Sequence, residues 1–273
     1  MDSLDLSLTL VKILRANFKA LQNQYISAKE TIAHFYIDDL LPTHIAQQCH
    51  DLFPSAGEMR ALKSLREFKN VSAQMDQHHP LLEKVLYAFQ DPEVVKIIGE
   101  ICGINNLLPD ASLYAGGLSS MGKNQFLNPH LDNSHDQDMQ LWRALNLLYY
   151  VTPDWQLENG GNLELWPNGV TGNPVTIQSK FNRLVVMVTH GGSWHSVSKV
   201  TVNHERQCIS NYYFSKEPVK QDDTQHITLF KGRPEEKVKS VVLDADAALR
   251  TAVRKVFKKG VRKNPHIYKK NND

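Results

Sequence analysis

The sequence of 273 residues lacks long apolar runs, and no stretch approaches the ~18 uninterrupted apolar residues of a membrane-spanning helix. No apolar segment follows a basic N-terminal stretch, so no secretory signal is predicted. Cysteine is scarce: Cys49, Cys102 and Cys208 lie far apart without CxxC spacing, which argues against a disulfide framework and a thiolate zinc site. We therefore expect a cytoplasmic protein with reduced thiols and no membrane partner.

The chain also lacks a large excess of either charge, because the formal net charge is only +2. The exception is the stretch from Ala247 to Asn272, which carries nine Lys or Arg and no acid. Such a stretch can bind nucleic acid or an acidic peptide. We favour an amphipathic helix that packs on the body of the protein and exposes a basic face, and we expect no nucleic-acid partner. The sequence indicates no oligomeric state.

The first hundred residues are predicted to be mainly helical. Four segments carry helical signals: residues 4–33, a helix from Pro42 that ends before Pro54, and helices at about 80–90 and 92–102. The last has Asp91 as N-cap, Pro92 at its first position and Gly103 just past its end. With 41% hydrophobic residues, the chain can bury a substantial core.

The pattern then changes to short β-branched or aromatic runs separated by Gly, Pro and Asn. Seven such runs follow one another without helices between them: ASLYAGGLSS, LNLLYYVTP, GGNLELWP, PVTIQ, NRLVVMVTHG, WHSVSKVTV and RQCISNYYFS. This spacing predicts an antiparallel barrel or sandwich such as a jelly roll. The expected fold class is α+β, mainly β with a helical N-terminal region.

Three parts are predicted, packed as one structural unit. Residues 1–105 would form the helical region, 106–218 the jelly-roll core and 219–273 a C-terminal extension with the basic helix.

The stretch LNPHLDNSHD, residues 127–136, carries the first candidate metal ligands. In a strand, residues i and i+2 face the same way about 6.6 Å apart, so His130 and Asp132 can reach one ion. A lone HxD motif is weak evidence. His135, Asp136 and Asp138 are rival ligands, but the polar run NSHDQD is more typical of an exposed loop.

Two further residues strengthen the metal hypothesis. His195 begins a predicted strand 63 residues after Asp132, and Arg206 begins the next strand 11 residues later. Antiparallel pairing would bring these strands together. Two imidazoles and one carboxylate favour non-haem Fe(II) chemistry, and an arginine can bind a carboxylate through two hydrogen bonds.

An HxD motif, a distal histidine within a Trp-His pair and an arginine about ten residues later resemble the Fe(II)/2-oxoglutarate-dependent oxygenases. The longer pattern NPHLDNSHDQD…RALNLLYYVTPDWQLENGGNLELWP is similar to their prolyl-4-hydroxylase-like branch. The resemblance implies a double-stranded β-helix core, with His130, Asp132 and His195 as iron ligands and Arg206 on the distal carboxylate of 2-oxoglutarate. It implies Fe(II), 2-oxoglutarate and O2, with ascorbate as a reductant.

Other contacts of the co-substrate stay open at this point. Relatives often carry Ser or Thr two residues after the arginine, where this chain has Cys208, with Ser210 next on the same face. Tyr114, Asn146 and Tyr149 lie on predicted strands of the barrel and are further candidates. Asn146 and Tyr149 differ in parity, so an unbroken strand cannot point both inward.

The resemblance implies a dioxygenase that hydroxylates a C–H bond and releases succinate and CO2. Related halogenases replace the metal-binding Asp by a small residue, so the presence of Asp132 argues against halogenation. A peptide or protein side chain is the preferred substrate, with small molecules as the alternative. Two other hypotheses remain: a cupin-like metalloenzyme independent of 2-oxoglutarate, and a non-catalytic binding module on the same fold.

Overall fold

The computed structural model describes residues 3–256 and 267–268 of the chain. Its described part contains six α-helices: α1 (Ser3–Ala16), α2 (Phe18–Ser27), α3 (Thr43–Asp51), α4 (Pro80–Ala88), α5 (Pro92–Cys102) and α6 (Lys237–Val256). The helices predicted from Pro42, at 80–90 and at 92–102 are confirmed as α3, α4 and α5. The arm predicted over 4–33 consists of two helices that separate at Asn17.

The ends of α5 follow the expected capping chemistry. The Asp91 carboxylate accepts a hydrogen bond of 2.9 Å from the backbone N–H of Glu93, and Pro92 occupies the first turn. Gly103 closes the helix in the left-handed conformation, with φ of 67°, which glycine adopts without a Cβ penalty.

Thirteen strands lie in the described residues. They are β1 (His34–Ile37), β2 (Arg60–Lys63), β3 (Glu67–Ser72), β4 (Leu108–Pro109), β5 (Gly117–Met121), β6 (Phe126–Leu131), β7 (Trp142–Tyr150), β8 (Leu163–Leu165), β9 (Val175–Ile177), β10 (Arg183–Val188), β11 (His195–Val197), β12 (Arg206–Ser215) and β13 (Leu229–Phe230). Each of the seven predicted runs contains one of these strands, which confirms the β region.

The strands pair antiparallel in one sheet of order β1-β10-β7-β12-β5-β3-β6-β11-β8-β9. The sheet curls into a half-barrel, in agreement with the jelly-roll prediction. Strand β3 pairs with both β5 and β6, and so joins the two halves of the sheet. This curl leaves a concave inner face and a convex outer face.

Helices α1, α4 and α5 pack on the outer face. In α1, Leu6, Leu10 and Leu14 recur at helical spacing and are buried, because α1 packs on α4 and α5. Leu147 and Tyr149 of β7 belong to the same apolar cluster. Helices and sheet therefore share one hydrophobic core, while the division into three parts stays a prediction.

The first hundred residues contain three strands that the sequence did not predict. Strand β1 pairs with β10, and β2 and β3 form a hairpin. The sequence RALK carries charges on both faces of its strand, and neither RALK nor EFKNVS shows clear apolar alternation. Their partners are distant in sequence, as the pairing of Val71 with Ser119 shows, so local patterns do not reveal them.

The C-terminal extension packs against the strand that carries the HxD motif. Strand β13 pairs with β6, and α6 contacts β13 and buries Leu243. Helix α6 begins at Lys237, before the basic stretch, and reaches only its first part, so the predicted basic amphipathic helix stays a prediction. Residues 257–266 and 269–272 of that stretch lie outside the described part. No helix among the described residues is long and apolar enough to cross a membrane.

Candidate metal centre and inner face of the half-barrel

His130, Asp132 and His195 converge at the junction of β6 and β11. His130 lies near the end of β6 and pairs in register with His195, the first residue of β11, while Asp132 follows β6 directly. One potential ligand atom from each residue lies within 4.8 Å of the others. His130 Nε2 lies 3.6 Å from Asp132 Oδ1, and His195 Nε2 lies 3.7 Å from Asp132 Oδ2. The structure brings the three predicted ligands together.

Backbone carbonyls fix the orientation of both imidazoles. Nδ1 of His130 lies 3.0 Å from the carbonyl oxygen of Asn128, and Nδ1 of His195 lies 2.9 Å from that of Ser193. Because a carbonyl only accepts, we assign the proton to Nδ1 in each ring. The lone pair of Nε2 then faces Asp132, as in metal-binding histidines.

The protonation states also suit a metal. Burial, followed by His195 and Lys69, lowers the pKa of His130 to about 3, although Asp132 opposes the shift. Burial by itself would raise the pKa of Asp132, but Arg143 and both imidazoles outweigh it and lower the value to about 2. At neutral pH the group therefore contains a neutral His130 and a carboxylate.

Asp132 has unfilled bonding capacity at this point. Its Oδ2 is buried and has no hydrogen-bond partner in the structure. A buried polar atom of this kind is costly unless a ligand satisfies it. Two imidazoles and a carboxylate form the donor set that favours Fe(II) in oxygenases. The residues present thus fit an iron ion.

Arg206 lies on the inner face at the start of β12. It is buried, its Nη2 lies 3.2 Å from the sulfur of Met121, and its guanidinium lies 5.3 Å from the ring centroid of Tyr150. Its Nε and Nη1 are buried without a partner. Arg206 therefore keeps N–H donors available for an anion.

Cys208 and Ser210 follow Arg206 on the same face, as predicted. Cys208 pairs with Tyr150 and Ser210 with Leu148 of β7, and the Cys208 sulfur lies 3.7 Å from the Ser210 hydroxyl. Burial raises the pKa of the Cys208 thiol, although Arg206 opposes the shift. Cys208 is thus protonated at neutral pH, and a role of either residue in binding 2-oxoglutarate stays a prediction.

Asn146 and Tyr149 lie on opposite faces of β7, and only Asn146 points to the inner face. Asn146 pairs with Tyr212 on the inner face, and its buried Oδ1 has no partner. Tyr149 points to the outer face, where it contacts Phe89 and donates a 2.8 Å hydrogen bond to Asn182. The structure therefore removes Tyr149 from the candidate site, because successive residues of a strand face opposite ways.

Tyr114 also differs from its predicted place. It lies in a bend before β5 rather than on a strand. Its hydroxyl is 3.2 Å from the side-chain amide of Asn133, directly after Asp132, and it lines the cavity above the three candidate ligands. Tyr114 is thus placed at the mouth of the site.

The loop after Asp132 is only partly exposed. Gln137 and Asp138 face solvent as predicted, but His135 is buried and its Nδ1 lies 2.7 Å from the carbonyl oxygen of Asp136. Two backbone N–H groups of the loop also donate to the Asp136 carboxylate. His135 and Asp136 thus hold the loop in shape, and neither joins the ligand cluster.

Sequence reasoning missed Arg143, which contacts Asp132, and Tyr212, which contacts Arg143. The Arg143 guanidinium lies 3.4 Å from Asp132 Oδ1, donates to Asn133 and stacks 4.3 Å above the ring of Tyr212. Tyr212 lies six residues after Arg206 in β12, so the alternation of side chains along a strand could have placed both residues on the same face. Arg143 was harder to place, because a register shift at Tyr213 and Phe214 alters the alternation of β7 against β12.

Comparison with known families places these residues in context. Residues 116–214 match the model of the 2OG-Fe(II) oxygenase superfamily, a span that includes all three candidate ligands and Arg206. The match covers somewhat more than a third of the chain, and over that region the protein is similar to the 2OG-Fe(II) oxygenases. The match indicates a 2-oxoglutarate-dependent dioxygenase, with Fe(II), 2-oxoglutarate and O2 as the reactants of that class. No curated protein sequence matches this chain.

Solved structures with a similar fold include prolyl hydroxylases. A Pseudomonas putida prolyl-4-hydroxylase has a TM-score of 0.53 at 16% identity, covering 71% of this chain and 98% of that one. A Trichoplax adhaerens prolyl hydroxylase, in complex with a hypoxia inducible factor peptide fragment, has 0.53 at 20%, covering 74% and 92%. HygX of Streptomyces hygroscopicus, with nickel and 2-oxoglutarate bound, has 0.51 at 9%, covering 72% and 87%. These similarities establish the shared fold.

Proposed function

We propose that this enzyme binds Fe(II) through His130, Asp132 and His195 and hydroxylates a C–H bond of a peptide or protein side chain. The observation that carries the proposal is the convergence of the three ligand atoms within 4.8 Å, beside a carboxylate oxygen that has no other partner. When bound, Fe(II) with 2-oxoglutarate and O2 supplies the oxidising chemistry, and succinate and CO2 are released.

Arg206 would bind the distal carboxylate of 2-oxoglutarate. Its two partnerless nitrogens leave N–H donors for a carboxylate in a buried site, where charge-assisted hydrogen bonds are strong. Asn146 presents a second partnerless polar atom on the same face and is a candidate for another contact. Arg143 would hold Asp132 in its ionised form and in position, through the contact between the two side chains.

The cavity above the ligands supports a substrate larger than 2-oxoglutarate. Its volume is about 740 Å³, and it is open to solvent between the β2–β3 hairpin and α6. A pocket of that size can hold several residues of an extended peptide. The Trichoplax enzyme of similar fold binds a peptide, which favours a peptide over a small metabolite here. Three buried, unbridged cysteines support a cytoplasmic location.

The test is succinate formation by purified protein with Fe(II), 2-oxoglutarate, O2 and ascorbate, in the presence of proline-containing peptides. We expect succinate that depends on 2-oxoglutarate and a peptide product heavier by one oxygen. Asp132→Ala should abolish both signals, whereas Asp244→Asn on the exposed side of α6 should leave them unchanged. Turnover of a substrate without 2-oxoglutarate would instead support the cupin-like metalloenzyme.

A further inference from the structure

One wall of the cavity is a hairpin rich in positive charge. Strands β2 and β3 and their turn, residues 60–72, have the sequence RALKSLREFKNVS, with four cationic residues and one acidic residue. We call this segment the basic hairpin. Three of its cations, Arg60, Arg66 and Lys69, line the same cavity as His130 and Asp132.

The register of β2 and β3 makes two of these cations diagonal neighbours. Arg60 pairs with Val71, and Leu62 pairs with Lys69, so Arg60 and Lys69 are diagonal neighbours on the face that borders the cavity. Such diagonal neighbours in a sheet lie within reach of long side chains, so one anion bound between them can contact both Arg60 and Lys69.

The acidic residues nearby only partly neutralise the hairpin. Glu67 lies 3.0 Å from Lys69, and Asp246 of α6 is shared between Arg66 and Arg250. Among the described residues, no ion pair or hydrogen bond is found for the Arg60 side chain. Around the whole cavity, five cationic side chains face two acidic ones, Glu67 and Asp132, and Asp132 would be bound to iron.

These cations are separate from the arginine proposed to bind 2-oxoglutarate. Arg206 lies at the start of β12, next to Met121 and Tyr150, and is not among the described residues that line this cavity. The charge of the basic hairpin is therefore available to the substrate, which must enter through the cavity to reach the metal centre.

We propose that the substrate carries an anionic group, a carboxylate or a phosphate, that Lys69 and Arg60 bind next to the C–H bond that is hydroxylated. Leu62 from the hairpin and Ile227, Phe230 and Leu249 from the C-terminal extension give the same cavity an apolar side. The preferred substrate is thus an acidic peptide segment with an apolar neighbour. This inference rests on the proposed function, because it assumes that the cavity is the substrate site.

The test is anaerobic calorimetry on the full chain loaded with Fe(II) and 2-oxoglutarate. Three probes are titrated: the acetylated and amidated peptide Asp-Pro-Asp, its neutral counterpart Asn-Pro-Asn, and inorganic phosphate. In wild type we expect the acidic peptide to bind at least about tenfold more tightly than the neutral one, as for one added charged hydrogen bond. Relative affinities for the peptide and for phosphate distinguish a carboxylate from a phosphate.

Variants locate the binding group. Lys69→Gln should weaken acidic-peptide binding about tenfold and leave the neutral peptide's affinity little changed, and Arg60→Gln should have a smaller effect of the same kind. The matched control is Lys63→Gln, because Lys63 belongs to the same hairpin but points to the other face, over Phe68, and is absent from the lining residues. The control should change every affinity by less than about twofold.

The inference would be overturned by equal binding of acidic and neutral peptides by wild type, or by equal effects of Lys69→Gln and Lys63→Gln. Failure of all three probes to bind would also overturn it. Failure of the proposed function looks different, since the loaded protein would then lack the visible charge-transfer band of chelated 2-oxoglutarate before any probe is added.

Discussion

The two faces of strands β7 and β12 differ in whether their buried polar groups have hydrogen-bond partners. On the outer face, Leu147, Tyr149 and Tyr213 are buried against the helices, and both phenol groups donate hydrogen bonds, to Asn182 and to the Phe89 carbonyl. On the inner face, Asn146 and Arg206 are equally buried but keep polar atoms without partners.

This difference shows where free energy is given up for binding. A buried donor or acceptor without a partner costs roughly 1–3 kcal/mol. The outer face avoids that cost completely at its tyrosines, whereas the inner face carries it at several residues within one half-barrel. A bound metal and co-substrate would supply the missing partners, so the inner face gains stability mainly when it is occupied.

Removal of a candidate metal ligand should have the largest effect. His130→Ala should lower succinate formation below about one-thousandth of wild type, because loss of a residue that only supports a ligand already costs roughly 10- to 100-fold. His204→Ala is the control, since His204 is exposed in the loop before β12. Iron content and succinate are measured together. If His130→Ala retained iron and turnover, His130 would not be an iron ligand, and the contrast between the inner and outer faces would be contradicted.

Arg206→Met tests the inner face without changing the metal. The affinity for 2-oxoglutarate should fall by about a hundredfold, as expected when one partner of a buried charged pair is removed. Stability without ligands should stay the same or rise, because two partnerless nitrogens are replaced by an apolar side chain. Calorimetry and urea unfolding check the two parts. A large loss of stability with unchanged co-substrate affinity would assign Arg206 a structural role.

The neighbouring residues Asn146 and Leu147 allow a matched comparison across the sheet. Leu147→Ala should lower the free energy of unfolding by about 3 kcal/mol, through lost burial and a cavity. Asn146→Ala should lower it by less than about 1 kcal/mol, because its side-chain oxygen has no partner to lose. Urea unfolding of both variants without ligands measures the difference. Equal losses would contradict the contrast between the faces.

Acid should destabilise the protein through His190, which follows β10. Burial, assisted by Lys220 and opposed by Asp223, lowers its pKa to about 4. Between that value and the pKa of about 6.5 in the unfolded chain, the unfolded state binds the extra proton, so stability falls as pH decreases through this window. The loss between pH 8 and pH 5 is about 2 kcal/mol from this residue.

His190→Asn isolates that contribution, because an amide oxygen can still accept the 2.9 Å hydrogen bond that Gly192 donates to Nδ1. The difference in unfolding free energy between wild type and this variant should shrink or change sign as pH falls. A difference independent of pH would show that the pKa of His190 is the same in the folded and unfolded states.

The smallest effect is expected at the rim of the cavity. Asp246→Asn removes the carboxylate shared by Arg66 and Arg250, but these side chains are partly exposed and such pairs contribute about 0–1 kcal/mol. Thermal unfolding should shift by only a degree or two, and co-substrate affinity should not change. A loss comparable to that of Leu147→Ala would mean that α6 is part of the stable core.

Sequence patterns predicted the fold where local signals were strong. The capped helix α5 and the β-branched runs of β7, β10 and β12 carry their periodicity in adjacent residues, so they were recognisable. The basic hairpin was missed, since β2 and β3 are polar and are held by pairing with remote strands. Their contribution to the cavity could not be foreseen without the curl of the sheet.

The candidate site was predicted to a similar degree. The spacing of His130, Asp132 and His195 indicated a cluster, and the structure brings it together. Side-chain direction was less certain: Tyr149 faces the helices, and Arg143 reaches Asp132 only because β7 shifts register against β12. Parity identifies the face of a regular strand, but it fails at a bulge.

The central claim is that the inner face holds Fe(II) and 2-oxoglutarate together. The most direct test is anaerobic titration of the purified protein with both, in wild type and in His195→Ala, followed by the visible metal-to-ligand charge-transfer band. A band that appears in wild type only when both are present, and is lost in His195→Ala, is the predicted result. No band in iron-loaded wild type, or an undiminished band in His195→Ala, would contradict the account.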